Sequence, residues 1–220
     1  SAYSNSGTLN ISGGDLTLTQ AGTPLSFTNT GTITIGPSRT WTITGGTFTQ
    51  QTGATLNGGG ALTLNGVTAA TFNTAFTLGA LTLNSTTASV STPITTAGLA
   101  LTLNSATLNG TLAGSLTNTA GQTLTLTNST IGATLPLDNQ GTLLVPGGSA
   151  VVNSAPGTFT TGPLATLRVE GNGFCCGGTL TLASGFTNLG AIELTSVNGG
   201  QPATLNVTAG SLTNAATGTI

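Results

Sequence analysis

The chain has 220 residues with two Lys or Arg, four Asp or Glu and no His, so charged side chains make up 3% of it, against roughly 25% in an ordinary globular domain. A net charge of −2 with Arg39 and Arg168 as the only basic residues offers nothing to neutralise phosphates, which sets aside nucleic acid and anionic membrane surfaces as partners. An aromatic content of 4% cannot supply the girdles of an outer-membrane barrel, and no apolar run approaches the ~18 residues of a membrane span, so membrane insertion is not expected.

In chain order, short segments alternate apolar residues with Thr or Asn: Leu16-Thr17-Leu18-Thr19, Thr32-Ile33-Thr34-Ile35, Leu62-Thr63-Leu64-Asn65, Leu101-Thr102-Leu103-Asn104, Leu124-Thr125-Leu126-Thr127 and Leu180-Thr181-Leu182. A period of two predicts strands with one dry and one wet face. Gly, Thr, Asn and Ser recur every few residues, and strong helix formers are scarce, so no helix is expected. The 34 Gly and 8 Pro stay below the share found in disordered segments, and the mean hydropathy of +0.31 is that of an ordered chain.

A second pattern lies above the strands: an apolar residue, one spacer, then Asn or Thr, followed soon by Gly. It occurs as Tyr3-Ser4-Asn5-Ser6-Gly7, Phe27-Thr28-Asn29-Thr30-Gly31, Leu137-Asp138-Asn139-Gln140-Gly141 and Phe186-Thr187-Asn188-Leu189-Gly190. Looser versions begin at Phe48, Phe72, Ile94, Leu116, Phe159 and Leu212, and successive marks lie 21 to 27 residues apart. Such a period signals stacked repeats that bury a continuous core only together. The second interval holds three strands, Thr32 to Ile35, Thr40 to Ile43 and Thr47 to Thr49, with Gly-rich corners.

The predicted fold is therefore all-β, a right-handed parallel β-helix (β-solenoid) with about 22 residues and three short strands per coil and roughly ten coils. It is read as a single solenoid over 1–220, a segment of a longer repeat protein or a fibre subunit. The inward column of the first strand is expected to run Leu9/Ile11, Ile33/Ile35, Leu101/Leu103, Leu124/Leu126, Leu143/Val145, Leu167/Val169 and Ile192/Leu194, with the Phe residues also inside. Threonine hydroxyls are expected to bond from coil to coil on the outside, and Asn side chains to form a ladder at one corner.

These repeats, with units such as Phe27-Thr28-Asn29-Thr30-Gly31-Thr32-Ile33 followed by Gly-rich turns, resemble those of bacterial filamentous-haemagglutinin-type and autotransporter adhesins. The resemblance is one of composition and architecture, and it covers nearly the whole chain. It implies an extracellular, cell-surface bacterial protein with a structural or adhesive role, whose partners are copies of itself stacked end to end, further repeats of the same chain, or a host or surface glycan. The residues from Ser1 lack the charged and apolar regions of a signal peptide, so either a removed signal peptide or an excised piece is expected, and Gly218-Thr219-Ile220 repeats the opening of a strand. The terminal coils are therefore expected to be covered by more of the same fold.

Enzymes built on β-helices use clustered carboxylates with a basic residue or a metal. Here the supply is Asp15, Asp138, Glu170, Glu193, Arg39 and Arg168. Aligned coils put Arg168 and Glu193 at equivalent outward positions with Glu170 nearby, which reads as a cross-coil ion pair rather than a catalytic site. No catalytic, cofactor-binding or metal-binding residue is assigned, and a carbohydrate-active enzyme stays as an alternative.

Long intervals near 170–178 and 196–202 read as protruding loops. The first holds Cys175 and Cys176, a crosslink to another subunit or an unusual redox loop on one reading and two inert thiols on the other. The pairs Thr17/Thr19, Thr40/Thr42, Thr47/Thr49 and Thr125/Thr127 would suit an ice-binding solenoid if they shared one coil position. Sequence spacing sets them on different strands, giving way to Leu144, Arg168 and Glu193, so a generic strand face is the preferred reading. A carbohydrate- or ice-binding module remains an alternative, although sugar docking would have only Trp41 and Tyr3 as exposed aromatics.

Overall fold

Alternating inward apolar and outward polar residues cannot form a dry core in one strand pair, so coil must stack on coil. A computed structural model describes every residue except Ser1, Pro24, Leu112 and Pro156. The chain is all-β, with no helix among the described residues, its parallel strands stacked as a β-solenoid of about nine coils with roughly 23 residues per coil. Among the described residues no helix is long and apolar enough to cross a membrane. The chain forms two compact units, Ser1–Ile94 with Gly98–Gly114, and Thr95–Ala97 with Ser115–Ile220.

In the first unit each full coil runs through three sheets. The first sheet stacks Ala2–Asn5, Ser26–Asn29, Thr47–Gln50, Ala69–Phe72, Thr87–Val90 and Thr107–Gly110. The second stacks Thr8–Ile11, Thr32–Ile35 and Thr55–Asn57. The third stacks Leu16–Thr19, Thr40–Thr44, Ala61–Asn65, Ala80–Asn84 and Ala100–Asn104. Left-handed residues turn the third sheet into the first: Gly45 and Gly46 together at one corner, and Gly66, Ser85 (φ 47°) and Ser105 (φ 51°) singly at the next three. Gly accepts that conformation without steric cost, and Ser bears it where the corner is otherwise fixed.

In the second unit one face stacks Ser115–Asn118, Leu137–Asn139 and Phe159–Thr161, with Phe186–Asn188 and Leu212–Asn214 paired separately. Another stacks Thr123–Thr127, Thr142–Pro146, Thr166–Asn172 and Ala191–Val197. The last stacks Thr130–Ile131, Gly148–Val152, Gly178–Leu182 and Ala203–Val207.

The core is the set of inward columns, among them Trp41, Leu62, Leu81 and Leu101 in the first unit and Leu124, Leu143 and Leu167 in the second, all at most 1% exposed. Each such side chain contributes about 1.5–3 kcal/mol on burial. Trp41, read from sequence as an outward aromatic, is fully buried. It packs edge-on to Phe27 and Phe48 at 5.1 and 6.0 Å between ring centroids.

The expected inward column is corrected by the register. Leu9 and Ile11 pair with Ile33 and Ile35 in the second sheet, whereas Leu101 and Leu103 pair with Leu81 and Leu83 in the third. The single column thus merged two sheets whose strands look alike locally. Leu194 lies opposite Val169 yet is 47% exposed, and Phe174 is 84% exposed rather than inside. The repeat mark also changes face. Tyr3, Phe27 and Phe48 are in register in the first sheet, but Phe48 then meets Ala70, while Phe72 meets Gln50. In the second unit Leu116, Leu137 and Phe159 form a column on the first face described for that unit.

What the mark encodes is a buried amide ladder. Asn5 Nδ2 donates to Asn29 Oδ1, and Asn29 Nδ2 to Gln50 Oε1, each at 2.8 Å. Asn5 and Asn29 also donate to the carbonyls of Thr32 and Thr55 at 3.1 Å, across the corner of the next coil. In the second unit Thr96 donates to Asn118 Oδ1, and Asn118 to Asn139 Oδ1 and the Thr142 carbonyl. Asn188 donates to Asn214 Oδ1 at 2.8 Å. The Gly that follows is required on steric grounds, since a Cβ on Gly31, Gly141 or Gly190 would collide with carbonyl oxygens of the preceding coil. The first ladder stops at Gln50, whose Nε2 is buried without a partner, because Phe72 stands opposite it on the next coil.

Candidate functional site

The core being closed, any function lies on outward side chains and loops. On the third sheet of the first unit the register runs Thr17, Thr42, Thr63, Thr82, Thr102 without interruption. Beside it runs Thr19, Thr44, Asn65, Asn84, Asn104. Three successive strands, Ala61–Asn65, Ala80–Asn84 and Ala100–Asn104, have the identical sequence Ala-Leu-Thr-Leu-Asn. Sequence spacing missed this column because the Thr-x-Thr pairs include Thr47 and Thr49, which belong to the first sheet, while Thr63, Thr82 and Thr102 stand alone beside Asn. In the second unit the equivalent register reads Thr125, Leu144, Arg168, Glu193 and loses the pattern.

Coil-to-coil hydroxyl bonds form elsewhere, between Ser91 and Thr111 at 2.8 Å and between Thr95 and Thr119 at 3.0 Å. Among the described residues, the hydroxyls of Thr17, Thr42, Thr63, Thr82 and Thr102 have no partner within the chain. Asn84 donates to Asn65 at 2.7 Å. The charged residues of this unit are Asp15 and Arg39, both at a corner: Asp15 accepts from the Thr40 amide at 2.9 Å, and Arg39 Nε donates to the Ser12 carbonyl at 3.2 Å.

Arg168 and Glu193 sit in register on adjacent coils of the second unit. Arg168 Nη1 lies 3.1 Å from Glu193 Oε2 and its Nε 2.6 Å from Glu170 Oε1. The hydrogen bond to Glu170 raises the guanidinium pKa above its already high ordinary value, burial opposes this, and both carboxylates add to the rise. With the Arg168 side chain 39% exposed and that of Glu193 45%, such a pair is worth about 0–1 kcal/mol. Asp138 accepts from Gln140 Nε2 at 2.6 Å and from Thr160 Oγ1 at 2.7 Å.

The two long intervals are partly strand. Thr166–Asn172 and Ala191–Val197 pair along their whole length, through Glu170↔Thr195, Gly171↔Ser196 and Asn172↔Val197. Adjacent lengthened coils give each other ladder partners, so the protrusions shrink to 173–177 and 198–202. The first is closed by the Asn172 amide donating to the Cys176 carbonyl at 2.8 Å. Cys175 is exposed, Cys176 half-buried, and both are free thiols. A hydrogen bond with Cys176 pushes the Cys175 thiol above its usual range, with burial adding to the rise.

A feature without sequence signal is an open groove of about 570 Å³ along Phe159, Thr160, Ser184, Phe186 and Ser211. It follows the gap where Phe159–Thr161 and Phe186–Asn188 fall in separate sheets. There Thr161 Oγ1 substitutes for ladder pairing, donating to the Thr187 carbonyl at 3.1 Å and accepting from the Leu189 amide at 3.3 Å. Among the described residues, no cluster of three or more His, Cys, Asp or Glu could hold a metal ion. Compared with protein-family models, curated proteins and solved structures, the chain matches none.

Proposed function

We infer that this chain is a structural β-solenoid of an extracellular bacterial surface fibre or adhesin stalk, supplying length, stiffness and a display surface without catalysis. The observation that carries the reading is the buried amide ladder, which ties coil to coil on top of the backbone pairing. A buried, satisfied polar network rigidifies the element that contains it. A coil built to pair in parallel with its neighbour has as its natural partner another coil, from a further repeat or a second copy. The carboxylates support the non-enzymatic reading, because each is engaged by the protein's own donors: Asp15 by Thr40, Asp138 by Gln140 and Thr160, Glu170 and Glu193 by Arg168. The exposed Cys175 and adjacent Cys176 give such a fibre a position for a crosslink between subunits.

Electron microscopy of the native material, with surface proteolysis of the producing cells, tests this reading. Rods or filaments released by external protease are expected, with a ladder of species on non-reducing electrophoresis that collapses with reductant. Isolated round particles retained inside protease-treated cells would overturn the stalk role, and a single monomer band under both conditions would remove the crosslink.

A further inference from the structure

We propose that the third sheet of the first unit is an ice-binding face. Its outward surface is a grid in which Thr17, Thr42, Thr63, Thr82 and Thr102 form one column and Thr19, Thr44, Asn65, Asn84 and Asn104 the next. Parallel pairing sets the repeat within a column at ~4.8 Å, and two residues along a strand set the columns ~6.7 Å apart. Hexagonal ice offers oxygen repeats of closely similar size. No bulge breaks the pairing from Thr40 to Asn104, so the columns stay in step over four successive strands.

The chemistry of the grid fits the same occupant. Each Thr hydroxyl has one donor and two acceptor positions, and the five of the column from Thr17 to Thr102 are not used within the protein. A single hydrogen bond to water gains little, because the hydroxyl is already hydrated. Binding therefore requires many groups held in register at no further ordering cost, which β-branched side chains on a paired strand provide. The sheet carries no ionisable side chain, and its electrostatic complement is a neutral lattice of donors and acceptors; a charged group would keep its own hydration shell. A crystalline polysaccharide would call for aromatic platforms, and the one aromatic of this sheet, Trp41, is fully buried. The equivalent strands of the second unit, with Leu144, Arg168 and Glu193, are excluded from the proposal. It stands apart from the stalk role and does not depend on it.

The test is ice-affinity partition of the full chain, with an inert protein of similar size as reference, and microscopy of ice crystals grown in its presence. The chain is expected to enter the ice and facet the crystals. The double variant Thr63→Tyr/Thr82→Tyr should fall to the level of the reference, while Thr49→Tyr on the first sheet should partition as the parent does. Circular dichroism melts check that each variant keeps the fold, and if the double variant does not, Thr82→Lys alone serves in its place. Exclusion of the parent chain from ice, or undiminished uptake of a folded third-sheet variant, overturns the proposal. So does a face-to-face dimer, detected by sedimentation and dissolved by Thr82→Lys, in a chain that ignores ice.

Discussion

Asparagine appears in this chain in two settings that chemistry separates sharply. Asn118 is fully buried, accepts from Thr96, and donates to Asn139 at 2.7 Å and to the Thr142 carbonyl at 2.9 Å. Asn84 stands outward and shares one bond with Asn65. Replacing Asn118 with Leu removes all three bonds; the Thr96 hydroxyl keeps its bonds with Thr119, and the loss is about 1–3 kcal/mol for each buried partner left unsatisfied. Asn84→Ala should stay within about 0.5 kcal/mol of the parent. Urea melts of both variants check this, and equal losses would show that the buried ladder is incidental to stability. The alternation separates them: Asn118 lies two positions after inward Leu116 and so faces in, whereas Asn84 directly follows inward Leu83 and so faces out.

At the scale of the strand, the alternation is the information. Leu124 and Leu126 are fully buried, with Thr125 half-exposed between them. Leu124→Asp places a carboxylate in a dry column and should cost more than about 4 kcal/mol, enough to unfold a marginal unit. Thr125→Asp, pointing out, should cost about 1 kcal/mol or less. Thermal melts followed by circular dichroism separate the two, and similar losses would mean the strand is turned the other way. Strand positions within the second interval were legible from sequence almost to the residue: Thr32–Ile35, Thr40–Thr44 and Thr47–Gln50 are observed. The identity of the sheet each strand joins was not. The motif apolar-x-Asn-x-Gly describes a way of closing a corner, and the fold uses it on the first sheet at Phe27-Thr28-Asn29 and on another face at Leu137-Asp138-Asn139.

For the whole molecule, the scarcity of ionisable groups has a direct thermodynamic consequence. Stability changes with pH only where folded and unfolded chains bind different numbers of protons. Histidine, the side chain that ordinarily titrates between pH 5 and 8, is absent. The Cys175 thiol, pushed up by its bond to Cys176, is kept from ionising in that window. The melting temperature should therefore shift by less than about 2 °C between pH 5.5 and 8. A scanning-calorimetry series checks this, and a marked slope would reveal a proton-linked contact outside the ion pair and hydrogen bonds described.

The sequence alone determined that the chain is all-β, that its strands are short and amphipathic, and that a period near 22 residues stacks them into a solenoid. Those properties reside in local chemistry: period-two alternation, β-branched residues, and Gly and Asn at corners. Tertiary structure decided which strands share a sheet, where the amide ladder begins and ends, and that five threonines fall in one unbroken outward column. The physical reason is that coils differ in length, and a difference of a few residues at a corner moves a side chain from one sheet to the next. Pairing between coils, which joins residues about 20 positions apart, fixes that choice, and no local pattern contains it.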